Sequence, residues 1–312
     1  MSGQKFAIAV HGGAGVLDSK ELSFDRQVAY RTGIREALES GHKILESGGS
    51  AIDAVQAAVR TLEDNPLFNA GRGAVLASDG RHYHDAAIMD GKDLSAGAVA
   101  GVQRVRNPIV LAREVMRGGR AILLAGEHAD RFAEQVGVEL VENTYFTTEH
   151  RMEQLRAAIA SGDVILDHND PYRGKKGTVG AVALDRTGHV AAATSTGGMT
   201  NKHPGRVGDS PLIGSGTYAA DDACAISCTG KGEQFIRHHV AGTVASIIRY
   251  AGRSLHSAAE LAMKELPPKV GGFIGISPEG EIIMPFNSRG MLRGWLQAGR
   301  EFIGIGREDK SS

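Results

Sequence analysis

The chain is 312 residues long, room for one large domain or two ordinary ones. It is 42% hydrophobic and 23% charged, the balance of a globular protein with a buried core and not of a disordered one. A net charge of -1 leaves no global basic field, so neither nucleic acid nor an anionic membrane is an expected partner, and no apolar run is long enough to span a bilayer.

Phe6-Ala7-Ile8-Ala9-Val10 reads as a short strand that stops at His11-Gly12-Gly13-Ala14-Gly15, with His11 holding the strand end. The lysine-containing start, Met1-Ser2-Gly3-Gln4-Lys5, has no signal-peptide apolar core, which makes a cytoplasmic location the default expectation. A helix is expected over Phe24–Glu46, with Val28, Ile34, Leu38 and Leu45 near helical spacing and Gly48-Gly49 as its stop. Ser50 is a good N-cap for a second helix, with Asp53 three residues on. That helix carries Ile52, Val55, Val59 and Leu62 on one face and ends at Asn65-Pro66, where proline cannot continue it.

A loop, Pro66-Leu67-Phe68-Asn69-Ala70-Gly71-Arg72-Gly73, leads to expected strands at 74–77, 86–89 and 97–102, then helices over 109–117, 125–135 and 148–160. Asp167-His168-Asn169-Asp170-Pro171 reads as an exposed linker before the basic run Arg173-Gly174-Lys175-Lys176.

The character changes at Thr178. Residues 179–184 and 190–193 are apolar on both alternating faces, as strands covered on both sides are. Arg186-Thr187-Gly188 fits a three-residue hairpin loop with glycine in the left-handed position. If Asp185 pairs with His189, Thr178 falls opposite Thr196, with Cβ atoms about 4.5–5.5 Å apart. A one-residue slip would send the two threonines to opposite faces.

Cys224 and Cys228 fall on one expected strand, on the same face but roughly 13 Å apart, too far for a disulfide. They read as two small buried hydrophobes in a reducing compartment. A helix over 232–250, another over Leu255–Glu265, a hairpin of 273–276 with 281–284 across Pro278-Glu279-Gly280, and a last strand at 302–305 complete the chain.

Thr178 interests us because an N-terminal threonine is a complete small catalyst: its hydroxyl is the nucleophile and its own α-amine the base. An α-amine has a pKa of roughly 7.7–8.0, close to working pH. In an uncut chain the same nitrogen is an amide and takes no proton. Arg206 and Asp209 form a second constellation. A planar guanidinium matches a carboxylate with two prongs, and a carboxylate three residues away suits an ammonium, so together they would read a free α-amino acid head.

Two readings compete. His82 and His84 with Asp85 invite a metal hydrolase, although two histidines in a short polar strand are ordinarily just exposed. A binding protein that keeps the amino-acid clamp but never matures is the other. Gly214-Ser215-Gly216 lacks the strand, turn and helix of a dinucleotide fingerprint.

Four stretches, in order, decide the matter. They are His11-Gly12-Gly13-Ala14-Gly15; Gly177-Thr178-Val179-Gly180; Thr194-Ser195-Thr196-Gly197-Gly198-Met199-Thr200-Asn201-Lys202, followed by Gly205-Arg206-Val207-Gly208-Asp209-Ser210-Pro211; and Cys228-Thr229-Gly230-Lys231-Gly232-Glu233. Over nearly its whole length the chain resembles the plant-type asparaginase/isoaspartyl peptidase family of N-terminal nucleophile hydrolases.

The resemblance implies an α+β fold, a four-layer αββα sandwich of two stacked, mainly antiparallel sheets between helical layers. It implies one domain over 1–312, self-cleaved between Gly177 and Thr178 into 1–177 and 178–312, with two such pairs associating. By match of motif, Thr178 is the nucleophile, Thr196 steadies its hydroxyl, and Thr229 with the Gly230 amide forms the oxyanion hole. Asn69 orients the nucleophile's amine, while Arg206, Asp209 and Gly232 bind substrate alongside Thr229 and Gly230.

The substrates so implied are L-asparagine and β-aspartyl dipeptides, small molecules that share one amino-acid head. No catalytic cofactor is implied. A structural sodium is, held by the backbone carbonyls of Leu62, Glu63, Asn65, Phe68, Ala70 and Arg72. The glycosylasparaginase branch shares Gly205-Arg206-Val207-Gly208-Asp209 but is less similar over Ser195-Thr196-Gly197-Gly198-Met199. A protein-cleaving threonine aspartase would need a larger recognition apparatus.

Overall fold

The computed structural model describes residues 5–15, 22–161 and 177–307. Strand β1 (Ala7–Gly15) is followed by helices α1 (Phe24–Glu46) and α2 (Ala51–Asp64). Strands β2 (His84–Asp90) and β3 (Ala96–Val102), helix α3 (Pro108–Gly118), strand β4 (Leu123–Ala125), and helices α4 (Gly126–Gln135) and α5 (Glu149–Ser161) come next. Beyond residue 177 lie β5 (Val179–Leu184), β6 (Val190–Thr196), β7 (Thr217–Ala220) and β8 (Cys224–Gly230). Helices α6 (Gly232–His238), α7 (Val240–Ala251) and α8 (Leu255–Glu265) precede the closing strands β9 (Gly271–Ile276), β10 (Ile282–Ile283), β11 (Gly290–Gln297) and β12 (Arg300–Gly306).

The strands make two sheets. One runs β12-β11-β1-β5-β6-β2-β3-β4 and is antiparallel except where β3 meets β4; the other runs β10-β9-β8-β7 and is antiparallel throughout. Successive side chains of a strand face opposite sides, and the core sorts by that parity. Ile8, Val10, Val179 and Ala193 pack against Ile34, Val55 and Ile109 of the first helical layer. Ala9, Val182, Ala192, Ala225 and Ile274 pack between the sheets. Ile226, Cys228 and Phe273 face Val244, Leu255 and Ala258 of α7 and α8. The architecture is therefore the αββα sandwich. Cys224 and Cys228 are buried free thiols on β8. No helix among the described residues is long and apolar enough to cross a membrane.

Most expected elements stand. Ser50 caps α2 by accepting from the Asp53 amide at 3.3 Å, and Ile52, Val55, Val59 and Leu62 are buried along it. Val28, in contrast, is 46% exposed and takes no part in the α1 core face.

Residues 74–77 are buried but form no strand. Their backbone groups are satisfied by loops instead: Val75 N–H donates to Asn69 Oδ1, and the Leu76 carbonyl accepts from Asn201 N–H. The expected helix over 232–250 breaks into α6 and α7 at His239, where φ is +47°. The break lets Gly242 N–H reach the Gly214 carbonyl at 2.7 Å. Strand β1 does not stop at His11 but bulges there and continues to Gly15 against β11. The linker 167–171 and the basic run 173–176 lie outside the described residues.

Candidate active site

The β5–β6 hairpin sets the site. Asp185 N–H donates to the His189 carbonyl at 3.0 Å, and Gly188 has φ +89°, the left-handed turn position. The ladder pairs Leu184 with Val190 and Val179 with Ser195. The next pair outward is Thr178 with Thr196, and Thr178 Oγ1 donates to Thr196 Oγ1 at 3.1 Å. Thr196 Oγ1 also accepts from Gly198 N–H at 3.0 Å. Thr178 is only 7% exposed.

Gly177 lies in a tight groove. A Cβ on Gly13, whose φ is +113°, would lie 2.6 Å from Gly177 Cα. A Cβ on Gly177 would lie 3.0 Å from Thr229 Oγ1 and 3.2 Å from the Ala14 carbonyl oxygen. Thr229 Oγ1 accepts from Ala14 N–H at 3.0 Å, which joins β8 to the continued end of β1 beside Gly177. Gly230 has φ +150°, and a Cβ there would lie 2.8 Å from Gly271 Cα. Only glycine fits that strand end.

Just past the end of β8, Gly232 opens α6 where Asp209 and Arg206 converge. A Cβ on Gly232 would lie 2.9 Å from Asp209 Oδ1 and 3.1 Å from Arg206 Nη2. Arg206 is paired: its Nε and Nη2 donate to Glu233 Oε1 at 3.0 and 2.9 Å. Asp209 is fully buried, and its Oδ2 has no hydrogen-bond partner. Burial pushes its pKa up to about 7; Arg206 pulls it down, while Glu233 and Asp85 push it further up. Burial also tends to raise the Glu233 pKa, but Arg206 outweighs it and the net is below the ordinary value.

Asn69 is buried in the loop after α2. Its Nδ2 donates to the Gly198 carbonyl at 2.8 Å and its Oδ1 accepts from Val75 N–H at 3.0 Å. It thus braces the turn that follows Thr196. In the same loop the Glu63 carbonyl accepts from Arg72 N–H at 2.8 Å and the Asn65 carbonyl from Phe68 N–H at 3.2 Å. The Glu63 side chain is buried, accepting from Ser195 Oγ at 2.6 Å and Ile109 N–H at 3.0 Å. Burial lifts its pKa to about 8, against the pull of those hydrogen bonds.

His82, His84 and Asp85 are buried, not exposed: both rings pack against Phe146, and Asp85 lies on β2 between β6 and β3. His82 is satisfied by the Val75 carbonyl and Thr147 Oγ1. Burial pushes it down to about 4 and depresses His84 as well. Among the described residues no group of three His, Cys, Asp or Glu side chains is placed to hold a metal ion.

Sequence reasoning missed Glu233, Ser227 and Lys202. Glu233 stood in a quoted motif, one residue past Gly232, but its partnership with Arg206 needs the fold. Ser227 has the same strand parity as Thr229, so period two alone places it on the inter-sheet face. Lys202 is buried and donates from Nζ to the Tyr83 carbonyl at 3.0 Å. Nothing in the sequence marks that lysine as an interior one.

A family model described as asparaginase matches residues 4–303. An isoaspartyl peptidase of Salmonella typhimurium is 50% identical over 302 residues, covering 95% of this chain and 96% of that protein. An isoaspartyl peptidase of Escherichia coli is 49% identical, covering 95% and 94%. A human isoaspartyl peptidase/L-asparaginase is 40% identical, covering 97% and 96%. Similarity this close and this complete leaves one conclusion: the chain belongs to the asparaginase family of N-terminal nucleophile hydrolases.

Proposed function

We propose that the chain cuts itself before Thr178 and then hydrolyses β-aspartyl dipeptides and L-asparagine. The observation that carries this reading is the Thr178–Thr196 hydroxyl pair at 3.1 Å, set beside a Gly177 that Gly13, Ala14 and Thr229 enclose. The names of the bacterial and human relatives, at 40–50% identity, point to the same substrates.

In maturation, Thr178 Oγ1 attacks the Gly177 carbonyl carbon and its proton passes to the departing Thr178 nitrogen. The resulting ester between Gly177 and Thr178 Oγ1 takes up water. The products are a Gly177 carboxylate and a free Thr178 amine, hence fragments 1–177 and 178–312. In catalysis that amine accepts the hydroxyl proton and Oγ1 attacks the side-chain carbonyl of the substrate. Thr229 and the Gly230 N–H receive the developing oxyanion. The amine returns the proton to the leaving ammonia or peptide nitrogen, and water then releases aspartate from Oγ1.

Arg206 takes the substrate's α-carboxylate and Asp209 its α-ammonium, with Gly232 leaving space between them. Asn69 orients the amine by bracing the turn after Thr196. The carbonyl oxygens of the Leu62–Arg72 loop are neutral hard donors, which suit an alkali cation. A Cβ on Gly73 would lie 2.4 Å from the Phe68 carbonyl oxygen, one of the six. A sodium on Leu62, Glu63, Asn65, Phe68, Ala70 and Arg72 would stiffen the loop that carries Asn69. Two cleaved protomers associate as (αβ)2, and two free buried cysteines favour a reducing, cytoplasmic setting.

The test is mass spectrometry of the purified protein with an assay for ammonia from L-asparagine and aspartate from a β-aspartyl dipeptide. A single uncut chain with neither activity would overturn the proposal.

A further inference from the structure

Behind Thr178 runs a buried line of hydrogen bonds that crosses from one sheet to the other. His11 Nδ1 lies 2.9 Å from the Thr178 carbonyl oxygen, and His11 Nε2 lies 2.9 Å from Ser227 Oγ. Ser227 Oγ is 2.7 Å from Thr194 Oγ1, which is 2.6 Å from Thr217 Oγ1. All four side chains are fully buried. His11 and Thr194 belong to the large sheet, Ser227 and Thr217 to the small one.

The protons in this line can be placed by elimination. A carbonyl only accepts, so His11 Nδ1 carries the hydrogen. Buried and neutral, the ring then has a bare Nε2. Ser227 must donate to that nitrogen, so its oxygen accepts from Thr194. The Thr194 proton is thereby spent, and the 2.6 Å contact to Thr217 takes the Thr217 proton, in preference to the longer approaches of Thr194 to the Gly216 carbonyl at 3.3 Å and of Thr217 to the Ser210 carbonyl at 3.1 Å. Every donor points toward Thr178, and each bond in such a chain strengthens the next. Burial pushes the His11 pKa down to about 3, so the ring stays neutral across the working range and moves no proton of its own.

The sequence around the line is built for close approach. A Cβ on Gly180 would overlap Ser227 Oγ and lie 2.5 Å from His11 Nε2. The glycine two residues after Thr178 is there to admit this contact.

We propose that His11, held in one tautomer by Ser227, is a positioning residue for the nucleophile. Its Nδ1–H fixes the Thr178 carbonyl, hence the rotation about Thr178 Cα–C. With β5 holding the next residue, Oγ1 and the nitrogen of Thr178 are thereby aimed at Thr196 and at substrate. The bond is to the Thr178 carbonyl, which is not the bond that is cut, so it serves the mature enzyme as well as the precursor. This inference rests on the reading of Thr178 as nucleophile.

Two substitutions separate positioning from packing. In His11→Asn the side-chain amide nitrogen stands where Nδ1 stood and keeps the bond to Thr178. In His11→Gln the amide reaches the Nε2 position and keeps only Ser227. Rates are taken per cleaved chain, with L-asparagine as substrate. We expect His11→Asn to retain kcat within about tenfold and His11→Gln to lose it by about a hundredfold, with KM within twofold in both. Equal kcat losses, or a change confined to KM or to thermal stability, would overturn the proposal.

Should neither variant mature, long-range ¹H–¹⁵N NMR of the wild-type imidazole decides. A neutral Nδ1–H ring from pH 5 to 8 supports the assignment; an Nε2–H ring or titration in that range defeats it. Thr178→Ala serves as the control for the underlying reading. Turnover by that variant would sink Thr178 as nucleophile, while the NMR result would still report on His11.

Discussion

Thr178 and Thr196 close a register that begins at the other end of their hairpin, where Asp185 donates to the carbonyl of His189. Six ladder pairs later the two hydroxyls stand 3.1 Å apart. Their approach is therefore a property of the turn as much as of the site. We expect Thr178→Ala to remain a single chain without activity. Thr196→Val should mature slowly and, once cut, lose about 10- to 100-fold in kcat with little change in KM. Fragment masses over time and steady-state rates check both; an unchanged kcat in Thr196→Val would count against the pairing.

Arg206 should matter for binding and not for the cut. Arg206→Ala is expected to yield both fragments at the wild-type pace. Its KM for asparagine should rise by at least thirtyfold, corresponding to roughly 2 kcal/mol or more for a lost charged partner. Arg206→Lys should recover only part of that, since a point charge cannot make the two-pronged contact. Unaltered affinity in Arg206→Ala would remove the clamp from the account.

Gly232→Ala tests the clamp without touching a charge. The new methyl would meet Asp209 Oδ1 at 2.9 Å and Arg206 Nη2 at 3.1 Å. We expect normal cleavage, a several-fold rise in KM, and tightening of the Arg206–Glu233 pair. A crystal structure of the variant with aspartate bound in the wild-type pose would speak against it.

The buried Asp209 carboxyl gives a pH signature. Burial raises its pKa to about 7, so below that value it is neutral and has no charge for the substrate's ammonium. KM for asparagine should therefore rise as pH falls through 7 and level off above it, and Asp209→Asn should hold KM high and flat. The same shift affects folding. The native state binds the extra proton between the ordinary 3.8 and about 7, so stability falls as pH rises through that window. Titrating KM and the denaturant midpoint on both proteins checks the two effects together.

Much of this was legible in residues. The hairpin register followed from the three-residue loop Arg186-Thr187-Gly188, which sets Asp185 opposite His189 between two apolar runs. The caps of α2 and the stop at Asn65-Pro66 were local signals, and local signals survive folding. The unexpected elements were those held by distant partners. Strand β11 carries Arg293 and two glycines and has weak strand character of its own; it exists because β1 and β12 flank it. Residues 74–77 have strand-like apolarity but no strand beside them, since Asn69 and Asn201 take their backbone groups.

The site divides in the same way. Thr178, Thr196, Thr229, Arg206 and Asp209 announce themselves by motif. Glu233, Ser227 and Lys202 act through pairings between segments far apart in the chain, which no local pattern encodes. The exposed histidines expected at 82 and 84 are buried because both rings pack against Phe146, a residue some sixty positions away in the chain.

Gly177 is wedged between Gly13, Ala14 and Thr229, in the space beside the groups assigned to the oxyanion. The uncut chain is thus its own first occupant of that space. On the proposed reading, a substrate enters only a volume that a piece of this protein has already filled and given up. The fit of asparagine is then judged against the outline of a departing glycine. This would tie the size of the acyl group the enzyme accepts to the same small residues that let it cut itself, so that neither property could drift in evolution without the other.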